Sequence, residues 1–264
     1  MCPEIQFGGV RLGAFNLFVG IGLVFWVCAA LWQLKSHRIA GDTEQRILTA
    51  MPFSLFAAAA MACLSDVAFR WRHFCSNPSG VGMTFYGGLI GFVCFWWLYA
   101  RWKGLDFQFL MNVFLPTLAI AQAFGRIGCF LGGCCYGRPV SSWGVVYPEA
   151  APAFAQYGHC PVAPVQLMES AWLFCVGIAL FSVIEFRLRH VWYLILVGIG
   201  RFGFEFLRGD VRNDVWTAIP LSPAQCISLL LAGFGFIWLI PLCGKRRLER
   251  EQTKGTDEYE PRRA

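Results

Sequence analysis

Leu12 to Leu34 reads LGAFNLFVGIGLVFWVCAALWQL, twenty-three residues without a charge, closed at its ends by Arg11 and Lys35. As a helix this run rises about 34 Å at 1.5 Å per residue, enough to cross the roughly 30 Å hydrocarbon layer of a bilayer. It lacks a small-residue cleavage site and is too long for a signal-peptide core, so it reads as a retained span. Four more uncharged runs follow, Ile47 to Ser65, Phe74 to Ala100, Phe107 to Gly125 and Val215 to Gly244. Two interrupted runs complete the set: Gln166 to Ile184 holds Glu169, and Val191 to Leu207 holds Arg201 and Glu205. The spacing predicts an all-α integral membrane protein of about seven transmembrane helices. An irregular, Pro-rich outer segment of about 28 residues separates the fourth from the fifth.

Composition agrees. Hydrophobic residues make up 57% and charged residues 14%, against roughly 45–50% and 25% in soluble proteins. A single soluble core cannot bury that much apolar surface, and the same figures exclude a disordered or collagen-like chain. The net charge of +6 does not signal nucleic acid, because 7 of the 22 Lys and Arg fall in the last twenty residues. Residues 1–244 read as one membrane domain with an outer loop at about 138–165, and residues 245–264 as a charged, disordered cytoplasmic tail. The connections after helices one, three and five, with that tail, carry fourteen of the cations, and the opposite side carries eight. The positive-inside rule therefore predicts an outside N-terminus and a cytoplasmic C-terminus.

Five of the outer cations cluster at unusual segments. Arg126 opens GRIGCFLGGCCYGRP, whose second arginine is Arg138, and Arg201, Glu205 and Arg208 stand at i, i+4 and i+7 on one helix face. An arginine near the bilayer centre costs about 2.5–3.5 kcal/mol on insertion scales, so it faces a cavity or a partner. One carboxylate balances one guanidinium; the surplus charge invites an anion, and a guanidinium fork fits phosphate oxygens. A structural Arg–Glu tie between helices is the competing reading. Gly87 and Gly88, in YGGLIG, either pack helices or open a pocket beside Tyr86.

These strings resemble a known family. GMTFYGGLIG (82–91), AQAFGRIGCFLGGCCYGRP (121–139), WGVVYP (143–148), PVQLMES (164–170), RFGFEFLR (201–208) and LSPAQCISL (221–229) occur in the order seen in the prolipoprotein diacylglyceryl transferases. The resemblance covers over half the chain. It implies a seven-helix, multi-pass enzyme of the bacterial inner membrane that moves a diacylglyceryl group from phosphatidylglycerol to the lipobox cysteine thiol of a preprolipoprotein. Glycerol phosphate leaves, and no cofactor is needed. By resemblance, Arg126 is the lipid head-group arginine, Arg201 the second essential arginine and Glu205 the acid beside it. Gln122, Gly128 and Gln166 also fall on family positions, and Gly87, Gly88, Arg138 and Arg208 are added to the substrate-binding set.

The chain also departs from the family pattern. Tyr86 stands where the family reads HGG, and GRIGNFINGELYG is replaced by GRIGCFLGGCCYG, with Cys129, Gly132 and Cys134 for two asparagines and an acid. Tyr86 and Cys134 are therefore the candidates for the proton path. A transferase using another acceptor, and a non-catalytic protein that binds anionic lipid, remain alternatives. The outer cysteines Cys75, Cys129, Cys134, Cys135 and Cys160 admit disulfides, inert thiols, a site thiol or a metal site. No metal is expected, because His159 is the only nearby histidine and no CxxC spacing occurs.

Overall fold

The computed structural model describes residues 4–7, 10–39, 41–69, 71, 75, 82–209 and 221–257, without the side chains of 4–7, 10–12, 69, 243 and 245–257. The membrane helices are α1 (Ala14–Ser36), α2 (Asp42–Phe69), α3 (Phe85–Lys103), α4 (Phe107–Gly132), α6 (Val165–Ser182), α7 (Arg189–Glu205) and α8 (Pro223–Asp257). A short helix α5 (Pro152–Tyr157) lies in the long connection between α4 and α6. One addition to the all-α expectation is an antiparallel hairpin, β1 (Glu4–Phe7) and β2 (Val10–Gly13), with Glu4 opposite Gly13 and Phe7 opposite Val10.

Five of the seven long helices are apolar and long enough to cross a membrane by themselves: α1, α2, α4, α6 and α8. The other two carry charge for identifiable reasons. Arg101 and Lys103 end α3, where Arg101 lies over Trp97 and Lys103 over Trp102 at 5.7 and 3.6 Å from the ring centroids. Such cation–aromatic pairs suit the head-group layer. Arg201 and Glu205 end α7 and belong to the site described below.

Three boundaries differ from the sequence expectation. Helix α3 begins at Phe85 rather than Phe74, which itself lies outside the described residues. Helix α4 continues through Arg126 to Gly132, because that charge is neutralised by a carboxylate from α6. Helix α8 runs to Asp257, so the first half of the expected disordered tail is helical backbone. Val215, the expected start of this last span, lies outside the described residues.

Small residues set the packing. A Cβ on Gly22 would meet the Ala121 carbonyl at 2.7 Å, and one on Gly198 would meet the Ser228 carbonyl at 2.8 Å. Backbones of α1 and α4, and of α7 and α8, therefore approach more closely than any larger residue permits. The core between them is aromatic. Trp26, Trp96, Phe114 and Tyr193 are fully buried, and Trp96 and Phe114 lie 4.6 Å apart by ring centroids. Pro116 removes one rung of the α4 ladder, while Gln33 Nε2 and Trp26 Nε1 of α1 donate to the carbonyls of Val113 and Phe114 at 2.6 and 3.4 Å. Outward-facing Trp32, Phe53, Phe56, Leu230, Ile237 and Ile240 are exposed, as a lipid-facing surface requires.

The alternation of the seven helices brings their ends to two sides. The start of α1, the end of α2, the start of α3, the end of α4, the start of α6, the end of α7 and the start of α8 share one side. All the unusual motifs lie there.

Candidate active site

The centre of the site is a carboxylate that the sequence analysis noted only as an interruption. Glu169, one turn into α6, forms an ion pair with Arg126 Nε at 2.6 Å through Oε2 and accepts from Arg201 Nη1 at 3.0 Å through Oε1. Arg201 Nη2 reaches Glu205 Oε2 one turn along α7 at 2.5 Å, and Ser222 Oγ donates to Glu205 Oε1 at 3.0 Å. The chain Arg126–Glu169–Arg201–Glu205 thus ties α4, α6 and α7 into one ionic network. Its side chains are 5–17% exposed, so each charge is held by its neighbour rather than by water. The signal for Glu169 was present in the sequence: a lone carboxylate in an apolar span is a site candidate by default.

Glu169 changes the charge count. Arg126 and Arg201 are paired with Glu169 and Glu205, and buried Arg208 lies close enough to repel both other arginines. Among the described residues, Arg126 uses only Nε for protein contacts, so Nη1 and Nη2 face no protein acceptor. That leaves a two-pronged donor on a fixed guanidinium.

The remaining predicted residues divide into three groups. Tyr86 and Gln122 border the ionic network. Tyr86 is buried, its hydroxyl 2.5 Å from Ser228 Oγ, and it lies within electrostatic reach of Arg201, Glu205 and Arg126. Gln122, one turn before Arg126, donates to the Tyr193 hydroxyl at 2.7 Å. Gln166 is fully buried one turn before Glu169. Its Nε2 donates to the Cys134 carbonyl at 2.7 Å and the Tyr147 hydroxyl at 3.0 Å, while its Oε1 has no partner among the described residues.

The second group shapes the outer loop. Arg138 is exposed, and its Nε donates to the Arg208 carbonyl at 3.2 Å. Gly137 bridges Arg208, and Gly209 accepts from Gln156 and Tyr157, so the loop is fastened to the end of α7. The third group packs helices. Gly87 meets Met61 and Ser65 of α2, Gly88 faces Ala58 and Ala62 of the same helix, and Gly128 meets Phe15 and Phe18 of α1. These glycines face neighbouring helices rather than the arginines, because close approach of α2 and α1 leaves no room for a side chain.

The cysteines converge beside the arginines. Gly133, in left-handed conformation at φ 69°, ends α4, and Cys135 follows at φ 60°. The two turns bring the Sγ atoms of Cys129, Cys134 and Cys135 within 4.8 Å of one another. Cys135 is held well below the ordinary thiol range by hydrogen bonds from Cys129 and Cys134 against the opposing effect of burial, with Arg208 and Arg126 adding to it. For Cys134 the bond with Cys129 pulls downward, but the bond with Cys135 and burial push it up to about 11. The Cys135 contact and burial thus raise Cys134, the expected site thiol, while Cys135 is shifted the opposite way. Burial pushes Tyr147 up to about 12, which keeps its hydroxyl neutral beside Gln166.

Residues 4–241 match the sequence profile of the prolipoprotein diacylglyceryl transferases. The chain belongs to this family. A relative from Dehalococcoides mccartyi, named phosphatidylglycerol–prolipoprotein diacylglyceryl transferase, is 31% identical over 93% of this chain and 94% of its own length. One from Clostridium perfringens, which carries the same name with the number 2, is 31% identical over 84% of this chain and 88% of its own. A Bacillus anthracis relative of that name is 28% identical over 90% and 92%. In this member of the prolipoprotein diacylglyceryl transferases, the arginine–glutamate network lies beside a buried tyrosine and three thiols.

Proposed function

We propose that the chain transfers the diacylglyceryl group of phosphatidylglycerol to the cysteine thiol of a preprolipoprotein at the outer face of the bacterial inner membrane. In this reaction the acceptor sulfur forms a C–S bond to the glyceryl carbon. The bond from that carbon to the phosphate oxygen breaks, and its electron pair leaves with glycerol phosphate. The thiol proton is released. The observation that carries the reading is the fixed Arg126 guanidinium, held by Glu169 through Nε, with neither Nη atom meeting a protein acceptor among the described residues. A preorganised two-pronged donor stabilises phosphate charge as it develops, without reorganisation at the moment of reaction.

A phenol, whose ordinary pKa is near 10, is a poor base at neutral pH, so Tyr86 does not take the histidine's place as base. The arginines supply the activation instead: a guanidinium beside an acceptor thiol favours its thiolate. Tyr86 and Ser228 form a hydroxyl pair at the edge of the phosphate position, the Ser228 hydroxyl donating to the Ala224 carbonyl at 2.6 Å. Gln166 gives the head group a further contact: its buried Oε1 has no donor among the described residues, and a glycerol hydroxyl provides one.

Purified protein, phosphatidylglycerol labelled in its diacylglyceryl part and a lipobox-cysteine peptide test the reading. Label is expected in a peptide thioether, with one glycerol phosphate released for each label transferred. Lipid binding without release would favour the alternative of a non-catalytic lipid-binding protein. Gln166→Leu is expected to weaken use of phosphatidylglycerol about two- to tenfold, the worth of one neutral hydrogen bond. The effect should be absent with a matching lipid that lacks the glycerol hydroxyls; an equal loss with both lipids would remove Gln166 from head-group recognition.

Orientation has its own test. Exposed Cys160, in the loop between α5 and α6, is expected to react with a membrane-impermeant maleimide in intact cells. A tag after Ala264 should resist protease in sealed spheroplasts. The reverse pattern would put the arginine network on the cytoplasmic side.

A further inference from the structure

We propose that Cys129, Cys134 and Cys135 form a three-thiolate site for a thiophilic d10 cation of the zinc and copper(I) class. The geometry is the first support. Three sulfurs bound at about 2.3 Å stand about 3.8–4.0 Å apart in tetrahedral or trigonal arrangement. The Sγ atoms here all lie within 4.8 Å of one another, so closure needs shifts of less than about 1 Å. The sequence spacing, C-x4-C-C, is not a familiar zinc signature. It works through the fold: α4 carries Cys129 in its last turn, and the chain then doubles back over it.

That reversal is the second support. Cys134 N–H bonds the Cys129 carbonyl at 3.1 Å, which closes the turn through Gly133. Cys135 then adopts φ 60°, a left-handed conformation that costs a non-glycine residue about 1–2 kcal/mol. Surrounding structure holds it there. Gln166 fixes the Cys134 carbonyl, Ala151 and Tyr147 crowd Gly133, and the Gly137 N–H bonds the Ala163 carbonyl. Strain imposed from several sides to gather three sulfurs suits a ligand set better than three inert thiols.

Charge is the third support. A zinc ion with three thiolates carries one net negative charge, and copper(I) with three carries two. The Arg126 guanidinium interacts electrostatically with Cys129 and Cys135 and so offsets part of that negative charge. Soft thiolate ligands select zinc and copper(I) over calcium, magnesium or manganese. With three protein ligands, zinc also keeps a fourth position for an outside donor.

The proposal stands independently of the transferase reading, and its test reads metal directly. Full-length protein, reduced and purified in detergent, is titrated separately with Zn2+ and with Cu+ under anaerobic conditions, and with Co2+ as the spectroscopic stand-in for zinc. One equivalent of Zn2+ or Cu+ per chain is expected. Bound Co2+ should give a thiolate-to-metal charge-transfer band. Cys134→Ser, which preserves the backbone turn, should weaken binding by more than about tenfold, and Cys160→Ser should leave it unchanged. No stoichiometric binding, or equal binding by Cys134→Ser, would overturn the site. A disulfide among the three cysteines in protein isolated without reductant would also overturn it.

Discussion

Glu169→Ala is expected to destabilise the protein by about 3–5 kcal/mol, the cost of leaving a buried ion pair without one partner. Arg126 and Arg201 both depend on this carboxylate, which is 5% exposed and contacts them at 2.6 and 3.0 Å. Arg201 retains Glu205, but Arg126 retains no carboxylate among those described. Thermal unfolding in detergent should therefore fall by on the order of 10 °C, and transfer should be lost. Removing the charge from both ends separates the two effects. Glu169→Met with Arg126→Met replaces one buried pair by apolar side chains of similar size and leaves Arg201 with Glu205. Stability is expected to return in large part, while transfer stays absent because the phosphate donor is gone. A stable Glu169→Ala protein with normal activity would remove Glu169 from its central place.

Arg126→Ala and Arg201→Ala should each abolish transfer in the fraction of protein that folds. The loss of one charge-assisted hydrogen bond is worth roughly 1.5–3 kcal/mol, or about ten- to a hundredfold in affinity, and catalytic losses exceed that where charge develops in the transition state. Arg126→Lys is the informative variant. An ammonium keeps the charge and the contact to Glu169 but cannot also present two parallel donors. It should restore most of the stability and little of the turnover. The two arginines should differ in how stability responds: Arg201 links Glu169 to Glu205 and lies between α6 and α7, so its loss also loosens the helix pair. Activity per folded molecule, set against detergent-stable protein, is the measurement. Normal specific activity in folded Arg126→Ala would sink the phosphate-clamp reading.

The sequence made the membrane class legible because burial in lipid is a property of whole segments. Twenty uncharged residues need an apolar solvent whatever surrounds them, and Leu12 to Leu34 says so alone. Arg126, Arg201 and Glu205 were legible for the complementary reason: a charge at membrane depth demands a partner or a cavity. The motif strings extended that reading to Gln122, Gln166 and Arg208. The same principle applied to Glu169, yet a single carboxylate in one span carries no sign of which cation it meets.

Glycines show the limit from the other side. Gly87, Gly88 and Gly128 fit a pocket or a close helix contact equally well as sequence. Which one holds depends on whether Ser65, Met61, Ala58 or Phe15 stands opposite, and that is settled by how α2 and α1 dock. The cysteines show it again. Their spacing along the chain suggests no metal, and only the left-handed turns at Gly133 and Cys135 gather their sulfurs.

By itself the sequence determined the solvent of this protein, its span count and the arginines that need a counter-charge, because these follow from each segment's own length, polarity and charge. The tertiary structure alone decided that Glu169 joins two arginines from different helices and that three thiols meet beside them. The ionic links join residues 32 to 75 positions apart, which helix packing sets and local pattern does not encode, and the thiols meet only because the chain reverses at Gly133 and Cys135.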